Sequence, residues 1–320
     1  RIYLGKRINS LDCILLSLAL LFPGQGSQKV GMGIDLFKNT EIGKKRFDQA
    51  NTIMNTDIQS IIFEGSEDDL KQTRITQPSI YIISVILSEL LFENEITIGA
   101  AAGHSLGEYS ALTAAGAFDF QTGLTLVKLR AESMQKTGDE TDGTMAAVLG
   151  LEDKVIDEMC TSITQGVVVA ANFNVLGQVV ISGETNAVKD AMESAIKLGA
   201  TKVIPLNVSG AFHSPLMSPA REALAEKLAT TEILDTYFPV YVNYSAKPIS
   251  SANEIRNALI KQLDHPVKWH ESVSNMISDG ASSFLEVGPG RVLQGLNRRI
   301  NRDVPMKGIS TWEDVNNYHV

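Results

Sequence analysis

Thr97-Ile98-Gly99-Ala100-Ala101-Ala102 runs straight into Gly103-His104-Ser105-Leu106-Gly107, and from Leu106 onward the pattern turns helical. An apolar strand, a G-x-S-x-G turn and a helix in that order predict a strand-to-helix elbow at the end of a sheet. The glycines on either side leave room for a sharp turn. The helix N-terminus and the next backbone N–H then face any negative charge that develops on a group bound at the serine. The alternative is a tight packing turn in which Ser105 only caps the following helix.

Working outward, strand and helix alternate. Residues 17–22 read as a buried strand, 41–55 and 79–93 as helices, and Phe120 to Gln135 as a further helix with Leu124, Val127, Ala131 and Met134 on one face. Thr76-Gln77-Pro78-Ser79 is expected to open the second helix, with the proline near its start. This alternation predicts an α/β layered fold with a mostly parallel sheet. The middle of the chain changes rhythm: strand 144–149, helix 153–163, strands 167–171 and 178–182, helix 186–198, strand 202–206. That is the β-α-β-β-α-β order of a ferredoxin-like unit. The expected domains are therefore 17–142 with 208–320 as a discontinuous large α/β domain, and 143–207 as an insertion. The cleft between host and insertion is the natural ligand site. Strands at 239–243 and 283–287 and a helix at 291–300 complete the expected elements.

At the N-terminus, Lys6 and Arg7 precede an apolar run from Ile14 to Phe22. The run looks like part of a signal peptide but is too short to span a membrane. It passes directly into Pro23-Gly24-Gln25-Gly26-Ser27, so a buried first strand entering a glycine-rich loop is the preferred reading. Residues 1–16 are taken as an extension. The expected location is cytoplasmic, with organelle targeting by the extension left open. No membrane partner is expected, and the expected state is a monomer.

The 320 residues are 44% hydrophobic and 20% charged, with a formal net charge of −9. A core of ordinary size is expected, and disorder is excluded as the main theme. With no long basic stretch, no nucleic-acid partner is expected. Cys13 and Cys160 are too few and too far apart for a disulfide framework or a metal site. No metal and no permanently bound cofactor is called for.

A serine needs a base. Among five histidines, His213 stands out, in the small-residue loop Val208-Ser209-Gly210-Ala211-Phe212-His213-Ser214-Pro215; the alternative is a loop histidine holding a carbonyl. His104 is expected to point away from its neighbour Ser105 and to be structural. His265, His270 and His319 show no partner pattern. No acidic residue suggests itself as a third triad member, since Asp190 reads as the solvent face of a helix. Arg130 lies on the apolar side of its helix, where burial is costly unless an anion meets it. It reads either as a carboxylate clamp or as a structural ion pair or snorkelling side chain. The loop from Gly24 to Gly33 lacks phosphate-loop and dinucleotide spacing. It can still offer a backbone N–H to an oxyanion, with Gln25 beside Leu106 as the candidate.

Several of these segments together resemble the malonyl-CoA:acyl carrier protein transacylase family. They are Phe22-Pro23-Gly24-Gln25-Gly26-Ser27-Gln28, Thr76-Gln77-Pro78, Gly103-His104-Ser105-Leu106-Gly107-Glu108-Tyr109, Arg130 in its helix and Asn172-Phe173-Asn174. Gly177 to Gly183, Gln262, His265-Pro266-Val267, Trp269 and Glu286-Val287-Gly288-Pro289-Gly290 follow in the family's order, so that coverage runs from about 18 to about 312. The resemblance implies a hydrolase-like three-layer α/β domain carrying the ferredoxin-like insertion. It implies Ser105 as the acyl-accepting nucleophile and His213 as its base and later acid. The backbone N–H groups of Gln25 and Leu106 would form the oxyanion hole, and Arg130 would bind the malonyl carboxylate. The Gln262 carbonyl would orient the histidine, and Asn172 would line the cleft. Phe212, before the histidine, looks like the pattern of malonyl-selective domains, where a ring crowds an α-methyl group.

The implied substrate is malonyl-CoA, a coenzyme A thioester, and the implied partner is acyl carrier protein. Arg291, Arg298, Arg299 and Arg302 form a basic run that could steer an acidic carrier or simply solvate a helix. The competing readings are a serine thioesterase or esterase, which leaves Arg130 without a purpose, and a loading domain of a polyketide pathway. A carrier-binding module without catalysis ranks below both.

Overall fold

A computed structural model describes residues 17–318; the expected extension at 1–16 and His319 lie outside the described residues. Ten strands are present among these: β1 Leu18–Phe22, β2 Ala100–Gly103, β3 Gly143–Leu149, β4 Val168–Val175, β5 Gln178–Glu184, β6 Lys202–Pro205, β7 Val240–Tyr241, β8 Pro248–Ile249, β9 Ser283–Val287 and β10 Met306–Ile309. They form two sheets, ordered β10-β9-β1-β2-β7-β8 and β4-β5-β3-β6.

The larger sheet is parallel except for β8, which turns back on β7. Every residue of the central strand β1 is buried, as expected for a parallel strand covered on both faces. Its alternation assigns the layers. Leu18, Leu20 and Phe22 join a core with Ile82, Ile86, Leu112 and Leu124. Ala19 and Leu21 join Trp269, Val273, Met276 and Leu293 on the opposite face. The chain is thus a three-layer α/β sandwich of the hydrolase-like kind. The helix Thr73–Phe92 is long and apolar enough to cross a membrane, but 83% of its most apolar window is buried inside this sandwich.

The smaller sheet is antiparallel throughout. Helices Asp153–Ser162 and Thr185–Lys197 pack on it through Ile156, Val188 and Ala191 against Val148, Val179 and Ile181. Its strand order is that of a ferredoxin-like unit. The smaller sheet is tied to the segment before helix Trp269–Ser278, where the Phe173 N–H donates to the Val267 carbonyl at 2.9 Å and the Val267 N–H donates to the Ala171 carbonyl at 2.8 Å.

Two sequence expectations need correction. The helix expected at 79–93 begins at Thr73, so Pro78 lies inside it rather than near its start. A tertiary contact sets this start: the Thr73 N–H is taken by Gln135 Oε1 of the helix Phe120–Glu140 at 3.1 Å. The strand expected at 239–243 is only Val240–Tyr241, because the chain leaves the sheet at Val242 to deliver Asn243 elsewhere. Helices Ser218–Thr230, Ala252–Gln262 and Trp269–Ser278 had no counterpart in the sequence reading.

Candidate active site

The site lies at the carboxyl ends of the parallel strands β1 and β2 in the middle of the larger sheet, the end at which open α/β sheets hold ligands. Ser105 follows β2 in the left-handed region, at φ 50°. The turn closes only because its glycines are bare. A Cβ on Gly103 would stand 1.9 Å from the Gly107 carbonyl carbon, and one on Gly107 would stand 2.0 Å from the Phe22 oxygen. The loop after β1 packs on the same turn, since a Cβ on Gly24 would stand 2.4 Å from the His104 oxygen. Gln25 is the next residue. Among the described residues, neither the Gln25 N–H nor the Leu106 N–H has an acceptor within the protein. Both expected oxyanion donors are therefore unspent.

His213, also left-handed at φ 58° and 3% exposed, reaches the serine from the loop after β6. Its Nε2 lies 2.7 Å from Ser105 Oγ, and its Nδ1 lies 2.9 Å from the Gln262 carbonyl oxygen. A carbonyl only accepts, so Nδ1 carries the proton and Nε2 presents its lone pair to the serine hydroxyl. Burial, and then the nearby Arg130 charge, push the imidazole down to about 3, against the opposing effect of the Gln262 bond. The histidine is neutral and ready to accept a proton at pH 7. The carbonyl of Gln262, at the end of helix Ala252–Gln262, takes the orienting place that no acid fills.

Arg130 is 1% exposed. Its guanidinium donates to Gln77 Oε1 at 2.5 Å, and to Ser105 Oγ and Gln262 Oε1 at 3.0 Å each. Among the described residues it forms no salt bridge, and its Nε has no partner at all. Burial holds its pKa below the usual arginine value. Neither the ion pair nor the snorkelling expected as alternatives is present. A buried cation whose hydrogen bonds all go to neutral oxygens, in contact with a serine hydroxyl, has the chemistry to take an anion. The Tyr109 ring lies 5.7 Å from the guanidinium carbon.

The remaining expected residues lie around this centre. Phe212 is buried next to His213. Asn172 sits on β4, bridged to Val267, with a buried Oδ1 that has no partner among the described residues. His104 points away from the serine, with Nε2 2.8 Å from Asn174 Oδ1 and its ring 5.5 Å from that of Trp269. His265 is half exposed and pairs with Asp264.

The sequence reading gave no role to four side chains. Gln77 holds Arg130. The Gln262 amide donates to the Ser105 carbonyl at 2.8 Å while accepting from Arg130. Asn243 grips the elbow, and buried Glu108, pushed up to about 7 by burial, accepts from the Asn243 N–H. Gln77 and Glu108 stood inside quoted motifs; Asn243 carried no signal beyond its place at the end of a strand.

Comparisons with known proteins agree on one family. The acyl transferase domain family matches residues 19–312. The malonyl CoA-acyl carrier protein transacylase of Bacillus subtilis is 41% identical over 300 residues, covering 93% of this chain and 95% of that protein. The protein of the same name from Synechocystis is 41% identical over 298 residues, covering 93% of this chain and 98% of the relative. The crystal structure of an acyl carrier protein S-malonyltransferase from Vibrio cholerae superposes with a TM-score of 0.90 at 37% identity, covering 94% of this chain and 99% of that one.

Proposed function

This chain belongs to the malonyl-CoA:acyl carrier protein transacylase family of acyl transferases, and from that premise we propose how its own residues move the malonyl group from coenzyme A to the carrier protein's phosphopantetheine thiol. Ser105 Oγ attacks the thioester carbon while His213 Nε2 takes its proton. The oxyanion forms against the Gln25 and Leu106 N–H groups. As the intermediate collapses, the carbon–sulfur bond breaks and His213 returns the proton to the departing coenzyme A sulfur, leaving a malonyl-serine ester. The carrier thiol then gives its proton to His213, attacks the ester carbon and releases Ser105, which is reprotonated from His213.

One observation carries this assignment: a buried arginine that forms no salt bridge among the described residues, 3.0 Å from the serine hydroxyl. A malonyl carboxylate supplies the missing charge through two parallel hydrogen bonds. The same contact fixes the acyl chain over Ser105 and leaves neutral acyl groups with an uncompensated cation. Phe212, beside the base, disfavours an added α-methyl group. A monomeric state, a cytoplasmic location and the absence of a membrane role belong to the same proposal.

The test is intact mass after mixing with malonyl-CoA, followed by addition of holo carrier protein. The parent should gain one malonyl group and pass it on, and Ser105→Ala should gain none. Hydrolysis of malonyl-CoA outpacing transfer would make the protein a thioesterase instead.

A further inference from the structure

The β2–β7 ladder ends at Ala102 and Tyr241, yet the sheet's hydrogen bonding continues for one more rung. Asn243 Nδ2 donates to the Gly103 carbonyl at 2.7 Å, and Asn243 Oδ1 accepts from the Ser105 N–H at 2.7 Å. In a parallel pair, one residue's N–H and C=O bond the carbonyl before and the N–H after the residue it faces. The Asn243 carboxamide makes that same pair of bonds around His104. Its own main chain is engaged elsewhere: its N–H donates to Glu108 Oε2 at 2.7 Å, and its carbonyl accepts from the Lys268 N–H at 3.0 Å. Asn243 is 1% exposed and Glu108 fully buried.

From this geometry we propose that Asn243 is a positioning residue for the nucleophile, a side-chain rung that holds Ser105 in its left-handed conformation, with Glu108 fixing Asn243 in place. The inference deepens the function above and rests on Ser105 being the nucleophile. A continuing strand would occupy the space where the acyl group must lie, whereas a carboxamide gives the same two bonds and then stops. It also occupies the Ser105 N–H, so the Leu106 N–H is the donor the elbow leaves for the oxyanion. The charged and titratable residues on the elements packed against it are Glu108 of the helix Gly107–Ala114, which accepts its N–H, Lys268, whose N–H bonds its carbonyl, and His104 of the elbow it brackets, while Arg130 and His213 reach it only through Ser105.

The experiment is single-turnover acylation by malonyl-CoA, read by intact mass, for the parent, Asn243→Ala and Asn243→Asp between pH 5 and 8, with melting temperatures at each pH. Asn243→Ala should acylate slower by about 10²-fold, the cost of a misplaced reacting group. Its half-saturating malonyl-CoA concentration should stay within about twofold of the parent's, since Arg130 and its partners Gln77 and Gln262 make no bond to Asn243. Asn243→Asp separates positioning from folding. Its neutral acid has both an O–H for Gly103 and a C=O for Ser105, while its anion sets an acceptor against the Gly103 carbonyl. Its rate relative to the parent should rise as pH falls. Parent-like acylation by Asn243→Ala, or a loss confined to half-saturation, overturns the proposal. So does an Asn243→Asp ratio that is flat with pH or only tracks its melting temperature. If Asn243→Ala does not fold, the aspartate ratio alone decides. A parent that takes no malonyl group refutes the function above instead, a distinguishable failure.

Discussion

Replacing Arg130 with methionine tests the carboxylate assignment most directly. Methionine fills similar volume without charge. In the resting protein the guanidinium spends its bonds on Gln77, Ser105 and Gln262. A malonyl carboxylate replaces two of these with charge-assisted bonds, each worth about 1.5–3 kcal/mol. Part of that gain is offset by the bonds given up, so a net loss of about 3 kcal/mol is expected, within the range for removing one partner of a buried charge pair. At about 1.4 kcal/mol per decade, this is a fall of roughly 150-fold in kcat/KM for malonyl-CoA. Acetyl-CoA should respond oppositely. In the parent its methyl group faces an uncompensated guanidinium, and in the variant it faces a thioether. Competitive labelling with both thioesters, resolved by mass, reads the change as a collapse of the malonyl preference by at least about 100-fold. Arg130→Lys, which keeps the charge but not the planar fork, should fall between the two. If Arg130→Met still takes malonyl at the parent rate and still excludes acetyl, the carboxylate is read elsewhere and the clamp is wrong.

Other outcomes follow from the same geometry. Because His213 is held down to about 3, the acid limb of kcat/KM should fall well below the ordinary histidine range. In the malonyl complex the carboxylate offsets the Arg130 charge, so the acid limb of kcat should lie at higher pH than that of kcat/KM in the same titration. For stability, the unfolded imidazole binds a proton near pH 6.5 and the folded one does not until about 3. This contribution is fully present above 6.5 and is lost as pH falls toward 3; denaturant midpoints for the parent and His213→Ala should converge on acidification. Gly107→Ala drives a methyl group into the Phe22 carbonyl. It should cost about 3 kcal/mol or more and remove acylation, whereas a Gly107→Ala variant that melts with the parent would show the turn to be less confined than the glycine contacts indicate.

The sequence made the strand–serine–helix turn legible because three local patterns agreed there: an apolar run, two glycines four apart, and a helical period. The inserted domain was legible for a similar reason, since its β-α-β-β-α-β rhythm breaks the surrounding alternation. The His213–Gln262 pairing was not readable from spacing, because a backbone carbonyl offers no residue-type signature; only the family resemblance pointed to it. Arg130 announced itself by a charge on an apolar face, but its neutral partners come from helices 53 residues before it and 132 after it. Asn243 was hidden most completely. A carboxamide that substitutes for a strand looks in sequence like any asparagine after a short apolar run. The early start of helix Thr73–Phe92 was missed because Gln135, not a local cap, satisfies its first N–H.

The rung between Val267 and β4 has a mechanical consequence. It stitches the two domains together within a few residues of Asn174, which itself holds His104 next to the nucleophile. Prising the domains apart there would break two backbone hydrogen bonds, each worth about 1 kcal/mol in net terms and more if left dry. The stitch therefore couples β4 to the reacting centre: a change that displaced β4 would pass through Asn174 to His104, the serine's neighbour.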